Sequence, residues 1–243
     1  MEGRTLVIGD IHGAYKALQQ ALERAAVTPD DTLIFLGDYV DGWSQSPEVI
    51  GFLIRLQQTQ RCIFIKGNHD DLLLQWLRDK KHNEQWLANG GQATVEAYRH
   101  IEDSIRVRHV LFLESLREYY IDAEKRLFVH AGFTNQRGVA FEYFPQLFYW
   151  DRTLWETALA LDPSLSEDDV NYPPRLRSYR EIYIGHTPVT RIGKTVPVHA
   201  ANVWNVDTGA AYKSPLTVLD IHTKMYWQSD NANDLYPGER GRN

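Results

Sequence analysis

Three apolar runs in the first third of the chain each stop at a glycine followed directly by side chains of metal-binding type. Thr5-Leu6-Val7-Ile8 leads into Gly9-Asp10-Ile11-His12-Gly13, and Thr32-Leu33-Ile34-Phe35-Leu36 into Gly37-Asp38-Tyr39-Val40-Asp41. Cys62-Ile63-Phe64-Ile65, after Lys66, leads into Gly67-Asn68-His69-Asp70. Short continuous apolar runs bounded by turn signals read as strands buried on both faces. Helical patterns separate them. One runs from Ala14 to Ala26 with Ala17, Leu18, Ala21, Leu22 and Ala25 at helical spacing. The next follows Ser46-Pro47, with Ser46 as cap and Pro47 in the first turn, and a third is expected from about Asp71 to Lys80. Three βα units in succession predict a parallel sheet with right-handed crossovers. Parallel strands share a direction, so the three polar clusters emerge at one carboxyl edge, where open α/β sheets take their ligands.

Two later strands repeat the device, in Val129-His130-Ala131-Gly132 and Ile184-Gly185-His186-Thr187. Taken singly, each position has an ordinary explanation: Asp10 caps a helix, His12 is a polar turn residue, and a lone histidine belongs to the core. Five strand ends converging with Asp, His, Asp, Asn, His and His do not fit that explanation, because buried charge needs a partner or a metal. Mixed oxygen and imidazole donors suit manganese, iron or zinc rather than calcium.

The remainder is less regular. Residues 82–116 are polar with scattered apolar side chains and read as a helical insertion. Tyr119 to Asp122 and Arg126 to His130 form a hairpin pattern. Residues 133–179 are rich in aromatics and prolines, either a satellite core under long loops or a wall over a binding site. Short strands follow at Glu181 to Ile184, Val203 to Val206, and Leu216 to Ile221 with Met225 to Gln228. The polar tail after Ser229 is expected to be loosely held.

Length and composition place all of this in one domain, residues 1–243. The formal charge of −6 argues against a nucleic-acid surface. Cys62 is the single cysteine, so no disulfide forms within the chain, which suits a reducing compartment. The first strand lies too near Met1 for a signal peptide, and no apolar run has transmembrane length. The expectation is a cytoplasmic protein with no nucleic-acid or membrane partner.

Together, GDIHG, GDYVD, GNHD, VHAG and GHTP resemble the metallophosphoesterases of the calcineurin-like superfamily, in order and spacing over residues 4–209. The likeness is to the phosphoprotein phosphatase branch, with its bacterial-type serine/threonine phosphatases and diadenosine tetraphosphate hydrolases. It implies a four-layer α/β/β/α sandwich holding two divalent transition-metal ions, manganese first, iron or zinc otherwise. Under the resemblance Asp10 and His12 hold the first ion, Asp38 bridges both, and Asn68, His130 and His186 complete the second site. Asn68 also faces the substrate phosphate. His69 matches the proposed general acid and Asp41 the carboxylate that orients it. Thr187 stands where other branches carry a further histidine. Two ions about 3.5–4 Å apart can polarise a phosphoryl group and generate a bridging hydroxide, while an imidazolium protonates the leaving oxygen. The function implied is a phosphomonoesterase acting on phosphoproteins or small phosphate esters. The alternatives are a hydrolase of dinucleoside polyphosphates or cyclic phosphodiesters and, more remotely, a non-catalytic binding module.

One departure stands out. The family's second motif ends Asp-Arg-Gly, whereas this chain reads Asp41-Gly42-Trp43. A replacement phosphate-binding cation is sought among Arg152, Arg137, Arg191 and Lys213, and Arg152 is the choice because it follows the VHAG ligand in an aromatic segment. The competing possibility is an ion pair between Arg152 and Asp151. Trp43 either offers a flat wall to substrate or packs.

Overall fold

The computed structural model describes residues 3–81 and 83–242. Met1, Glu2, His82 and Asn243 lie outside the described residues, and His82 is the first position of the expected helical insertion. The opening units are β1 (Thr5–Ile8), α1 (Tyr15–Arg24), β2 (Thr32–Phe35), α2 (Ser46–Leu56), β3 (Arg61–Phe64) and α3 (Asn68–Asp79). β1, β2 and β3 pair in parallel, with Val7 opposite Ile34 and Ile34 opposite Ile63. The later strands are β4 (Tyr119–Ile121), β5 (Arg126–Val129), β6 (Glu181–Ile184), β7 (Val198–Ala200), β8 (Val203–Asn205), β9 (Pro215–Asp220) and β10 (Tyr226–Asn231). They build two five-stranded mixed sheets, ordered β10-β9-β1-β2-β3 and β4-β5-β6-β8-β7.

Alternation along each strand explains why the two sheets stack. Leu6, Ile8, Leu33 and Phe35 point to one side and join the core beneath the helices. Val7, Ile34 and Leu36 point to the other side, where they meet Phe128, Tyr183, Val206 and Leu219 from the second sheet. Phe128 stacks on Tyr183 at 5.0 Å. Leu127, Val129, Ile182 and Ile184 face outward again, against Phe133, Leu154 and Trp155. Three apolar interfaces therefore separate four layers. Each large side chain buried this way contributes about 1.5–3 kcal/mol. This is the α/β/β/α arrangement that the motifs implied.

Three expectations change, and one strand appears that the sequence did not announce. Ser46 does not cap α2. The helix already includes it, Gln45 is the capping residue, and the Ser46 hydroxyl turns inward. α3 begins at Asn68 rather than near Asp71, because the Asp70 carboxylate accepts the Gly67 N–H at 2.8 Å and starts the helix inside the motif. The tail after Ser229 is not loose. β10 continues to Asn231, a helical turn follows at Ala232–Leu235, and Tyr236 is buried with its ring stacked on Trp43 at 5.1 Å. The edge strand β7 had no signal, since it is three residues long and carries His199 at its centre.

The stretch from Glu84 to Glu114 is helical in short pieces, ending in the helix Asp103–Glu114, which packs against α2 and α3. In the aromatic segment Phe133, Phe148, Tyr149, Trp155 and Tyr172 are buried, while Phe141, Tyr143, Phe144 and Trp150 are exposed. The aromatics thus divide between a satellite core and an exposed surface. Among the described residues no helix is long and apolar enough to cross a membrane.

Candidate metal centre

The loops after β1 and β2 are tied together through backbone. Ile11 and His12 both donate their N–H to the Asp38 carbonyl, at 3.0 and 2.8 Å. The turns are tight enough that His12, Asp38, Asp41 and His186 all take left-handed φ values of 52°, 51°, 74° and 67°. Such backbone costs about 1–3 kcal/mol per non-glycine residue and gathers at functional sites. Gly67 lets the third loop approach, since a Cβ there would stand 2.1 Å from Asp38 Oδ1.

Asp10, His12, Asp38, Asn68, His130 and His186 are brought to one place, none more than 9% exposed. Asp38 Oδ2 lies 3.5 Å from His12 Nε2 and 3.4 Å from His130 Nε2. Asp10 Oδ2 is 3.9 Å from His12 Nε2. Asn68 Oδ1 is 3.3 Å from His130 Nε2 and 2.9 Å from His186 Nδ1. Two donor sets of metal-binding spacing result, His12 with Asp38 and His69, and Asp38 with His130 and His186, sharing Asp38. Geometry thus puts His69 in the first set, for which the resemblance gave Asp10, and Asp10 stands 3.9 Å from His12.

These residues fit divalent ions on three counts. His12 and His130 each turn Nδ1 to a carbonyl, Val40 at 3.1 Å and Leu36 at 2.8 Å. A carbonyl only accepts, so Nδ1 carries the proton and Nε2 is aimed inward, as metal-binding imidazoles are held. Asp10 Oδ1 is buried without a hydrogen-bond partner among the described residues. Charge balance adds the third. Burial, then the nearby Asp207 charge, raises the Asp10 carboxyl well above its usual range. Burial disfavours a proton on His130, yet the Asp38 and Asp10 carboxylates outweigh it and raise that group to about 10. Buried carboxylates that draw in protons this way also draw in metal ions, which displace them.

His69, on the first turn of α3, places Nδ1 2.6 Å from Asp41 Oδ2. The Trp86 indole donates to the same oxygen. Asp41 itself is fully buried, and its N–H donates to the hydroxyls of Ser46 and Thr94, each at 3.1 Å. Asp70 accepts from the N–H groups of Gly67, Asp38 and Tyr39, at 2.8 to 2.9 Å, and so pins the second loop to the third. Burial, then the Asp38 charge, pushes its carboxyl up to about 8. Sequence reasoning left Asp70 without a role and did not find Trp86, a lone tryptophan in a polar stretch.

A cavity of about 420 Å³ opens over the centre, with Asn68, His69, Trp150, Arg152, Arg191 and Arg242 in its lining. Arg152 donates to His186 Nε2 at 3.5 Å. Asp151 is committed elsewhere, since its carboxylate accepts from the backbone of Thr153 and Leu154 and from the Thr153 hydroxyl. Of the other candidates, Arg191 reaches the cavity, Arg137 lies over the Phe141 ring at 3.8 Å, and Lys213 lines a different cavity. Trp43 is fully buried and donates to the Ala210 carbonyl, so it packs. Arg242, from the segment expected to be loose, donates to His12 Nε2 at 3.2 Å.

The profile of the calcineurin-like phosphoesterase family matches residues 3–209. Serine/threonine-protein phosphatase 1 of Salmonella typhimurium is 25% identical, over 88% of this chain and 90% of its own length. The asymmetrical bis(5'-nucleosyl)-tetraphosphatase PrpE of Geobacillus thermodenitrificans is 27% identical over 88% of each chain. In fold, the chain is similar to the cold-active protein-tyrosine phosphatase of a psychrophilic Shewanella, with a TM-score of 0.59 at 15% identity, covering 95% of this chain and 81% of that one. A metallophosphoesterase from Sphaerobacter thermophilus gives 0.55 at 17% identity, over 94% and 89%. The chain belongs to the calcineurin-like phosphoesterase family, whose members use divalent metal ions to hydrolyse phosphate esters.

Proposed function

We propose that the protein is a dinuclear phosphomonoesterase for phosphoserine, phosphothreonine or phosphotyrosine in proteins, or for small phosphate esters. The observation that carries this reading is that Asp38 is common to two donor sets, with His69 bonded to Asp41 and lining the cavity above. When bound, two divalent ions supply Lewis acidity toward the phosphoryl group and acidify water. The mixed oxygen and imidazole donors suit manganese, iron or zinc, and manganese is our choice by the family resemblance.

The chain's own residues do the rest. Asp41 accepts from His69 Nδ1, which keeps the ring oriented and leaves Nε2 to carry a proton to the leaving oxygen. Trp86 and the Ser46–Thr94 pair hold Asp41 in turn. Asn68 and Arg152 contact the phosphate oxygens, Arg152 from the exposed side of the cavity. Residues 1–243 act as one domain, in which the helical stretch after His82 covers Asp41 and Trp150 walls the cavity. Cys62 has no disulfide partner within the chain, and we assign the enzyme to the cytoplasm on that ground.

The test is a manganese-supplemented panel of phosphoserine, phosphothreonine and phosphotyrosine peptides, diadenosine tetraphosphate and a cyclic nucleotide. Turnover of phosphomonoesters well above the nucleotides is the expected result. Exclusive turnover of diadenosine tetraphosphate would contradict the reading, and no turnover of any substrate with metal bound would leave a binding module.

A further inference from the structure

The arginine absent from position 42 has a candidate in Arg242, two hundred residues later in the chain. The closing segment is fastened along its length. Ala232 donates to the Ser214 carbonyl, Tyr236 accepts from Lys16 and stacks on Trp43, and Glu239 accepts from the Ser44 backbone and hydroxyl. Arg242 N–H then donates to the Ala211 carbonyl at 2.8 Å. From there the side chain passes between two glycines that are themselves joined by a Gly42 N–H to Gly90 carbonyl bond. A Cβ on Gly42 would stand 3.1 Å from Arg242 Cγ, and one on Gly90 would stand 2.8 Å from it. Both glycines have φ above 100°, where a side chain is strained in any case. An arginine at 42 would therefore carry backbone strain and crowd Arg242 in its present place.

We propose that Arg242 is a second substrate-phosphate-binding arginine of this enzyme, beside Arg152, delivered to the metal centre through the gap between Gly42 and Gly90. The inference rests on the phosphomonoesterase reading and adds a specificity-determining residue to it. Its guanidinium is held within 3.2 Å of the His12 imidazole, at the rim of the first donor set. The residue lines the cavity over the centre, and its Nε is buried behind with no protein partner among the described residues. Arg152 and Arg191 line the same cavity, and among the described residues no carboxylate lines it. Burial, then the charges of Arg191 and Arg242, lower the pKa of Arg152. Three guanidinium groups that repel one another around one opening suit a dianion such as a phosphate monoester, and a planar fork holds two of its oxygens at once.

The experiment measures binding of inorganic phosphate to the manganese-loaded protein by calorimetry, with bound manganese per chain counted for each variant. Arg242→Ala should weaken phosphate binding roughly ten- to hundred-fold, the size of a lost charge-assisted contact, with manganese content unchanged. Arg242→Lys should recover part of the affinity, and millimolar guanidine should recover part of it in Arg242→Ala by filling the vacated gap. Wild-type affinity in Arg242→Ala would overturn the proposal while leaving the phosphomonoesterase reading in place. Loss of manganese in that variant would also overturn it, by making Arg242 a support of the metal site. A manganese-loaded wild type that binds no phosphate would remove both.

Discussion

Asp41 Oδ2 lies 2.6 Å from Nδ1 of His69, a residue 28 positions later in the chain, and the two are buried together. A carboxylate accepting at Nδ1 fixes the tautomer and orientation of the ring, so that any proton His69 donates leaves from Nε2. A proton donor matters only as far as the leaving group needs one. Para-nitrophenolate departs readily without help, and a serine alkoxide does not. His69→Asn should therefore lower kcat about 10²–10⁴-fold on phosphoserine peptides and far less on para-nitrophenyl phosphate. Asp41→Asn should follow the same trend at smaller size. The measurement is kcat across phosphate esters of graded leaving-group pKa. A parallel drop for all of them, or a loss of bound metal in His69→Asn, would make His69 a ligand or a packing residue, as its place in the first donor set also permits.

Arg152 donates to His186 and faces the cavity, while Asp151 is occupied in capping the following helix. Arg152→Ala should raise KM and lower kcat/KM by roughly ten- to hundred-fold, because a charge-assisted phosphate contact disappears. Manganese content should be unchanged. Unaltered steady-state kinetics would assign Arg152 a structural role.

Strand positions, and the polar side chains that gather at the sheet edge, were legible in the sequence for a physical reason. A buried parallel strand must be continuously apolar, and the polar residue after its terminal glycine must lie at the sheet edge. Those two rules locate Asp10, Asp38, Asn68 and His186 without any knowledge of contacts, and His130 directly ends its own apolar run. What they miss is whatever reaches the site from elsewhere in the chain. Trp86 and Thr94 meet Asp41 from a stretch with no strong periodicity. Arg242 meets His12 across 230 positions, from a segment whose polar composition resembles a frayed tail. Its anchors, Tyr236 on Trp43 and Glu239 on Ser44, are single long-range contacts that no local pattern announces. Ser46 was misassigned for a related reason. A serine before proline suits a helix cap, but here the hydroxyl serves Asp41 instead.

Away from the site, Asp31 anchors the start of β1 to that of β2. Its carboxylate accepts from the Arg4 backbone and guanidinium and from the Thr28 N–H. Burial would raise this carboxyl, but the Arg4 side chain and the two backbone donors outweigh burial and hold it at about 2. The folded value lies below the unfolded one of about 3.9. The stabilisation is thus present above pH 4 and is lost as pH falls from about 4 toward 2. Asp31→Asn should destabilise the protein by about 1–2 kcal/mol at neutral pH, and the gap to wild type should close by pH 2. Urea unfolding at pH 7 and pH 3 measures it. A gap that stays constant with pH would mean that the Arg4 charge is irrelevant.

The central claim is that Asp38 is shared between two metal ions on which turnover depends. The direct measurement is phosphatase activity against bound manganese per chain, starting from chelator-treated protein. In wild type, activity should be absent without metal and rise as occupancy approaches two. Asp38→Asn should hold fewer ions and stay inactive at any occupancy it reaches, with the fold retained by circular dichroism. Full activity in the chelator-treated wild type, or in Asp38→Asn, would contradict the account.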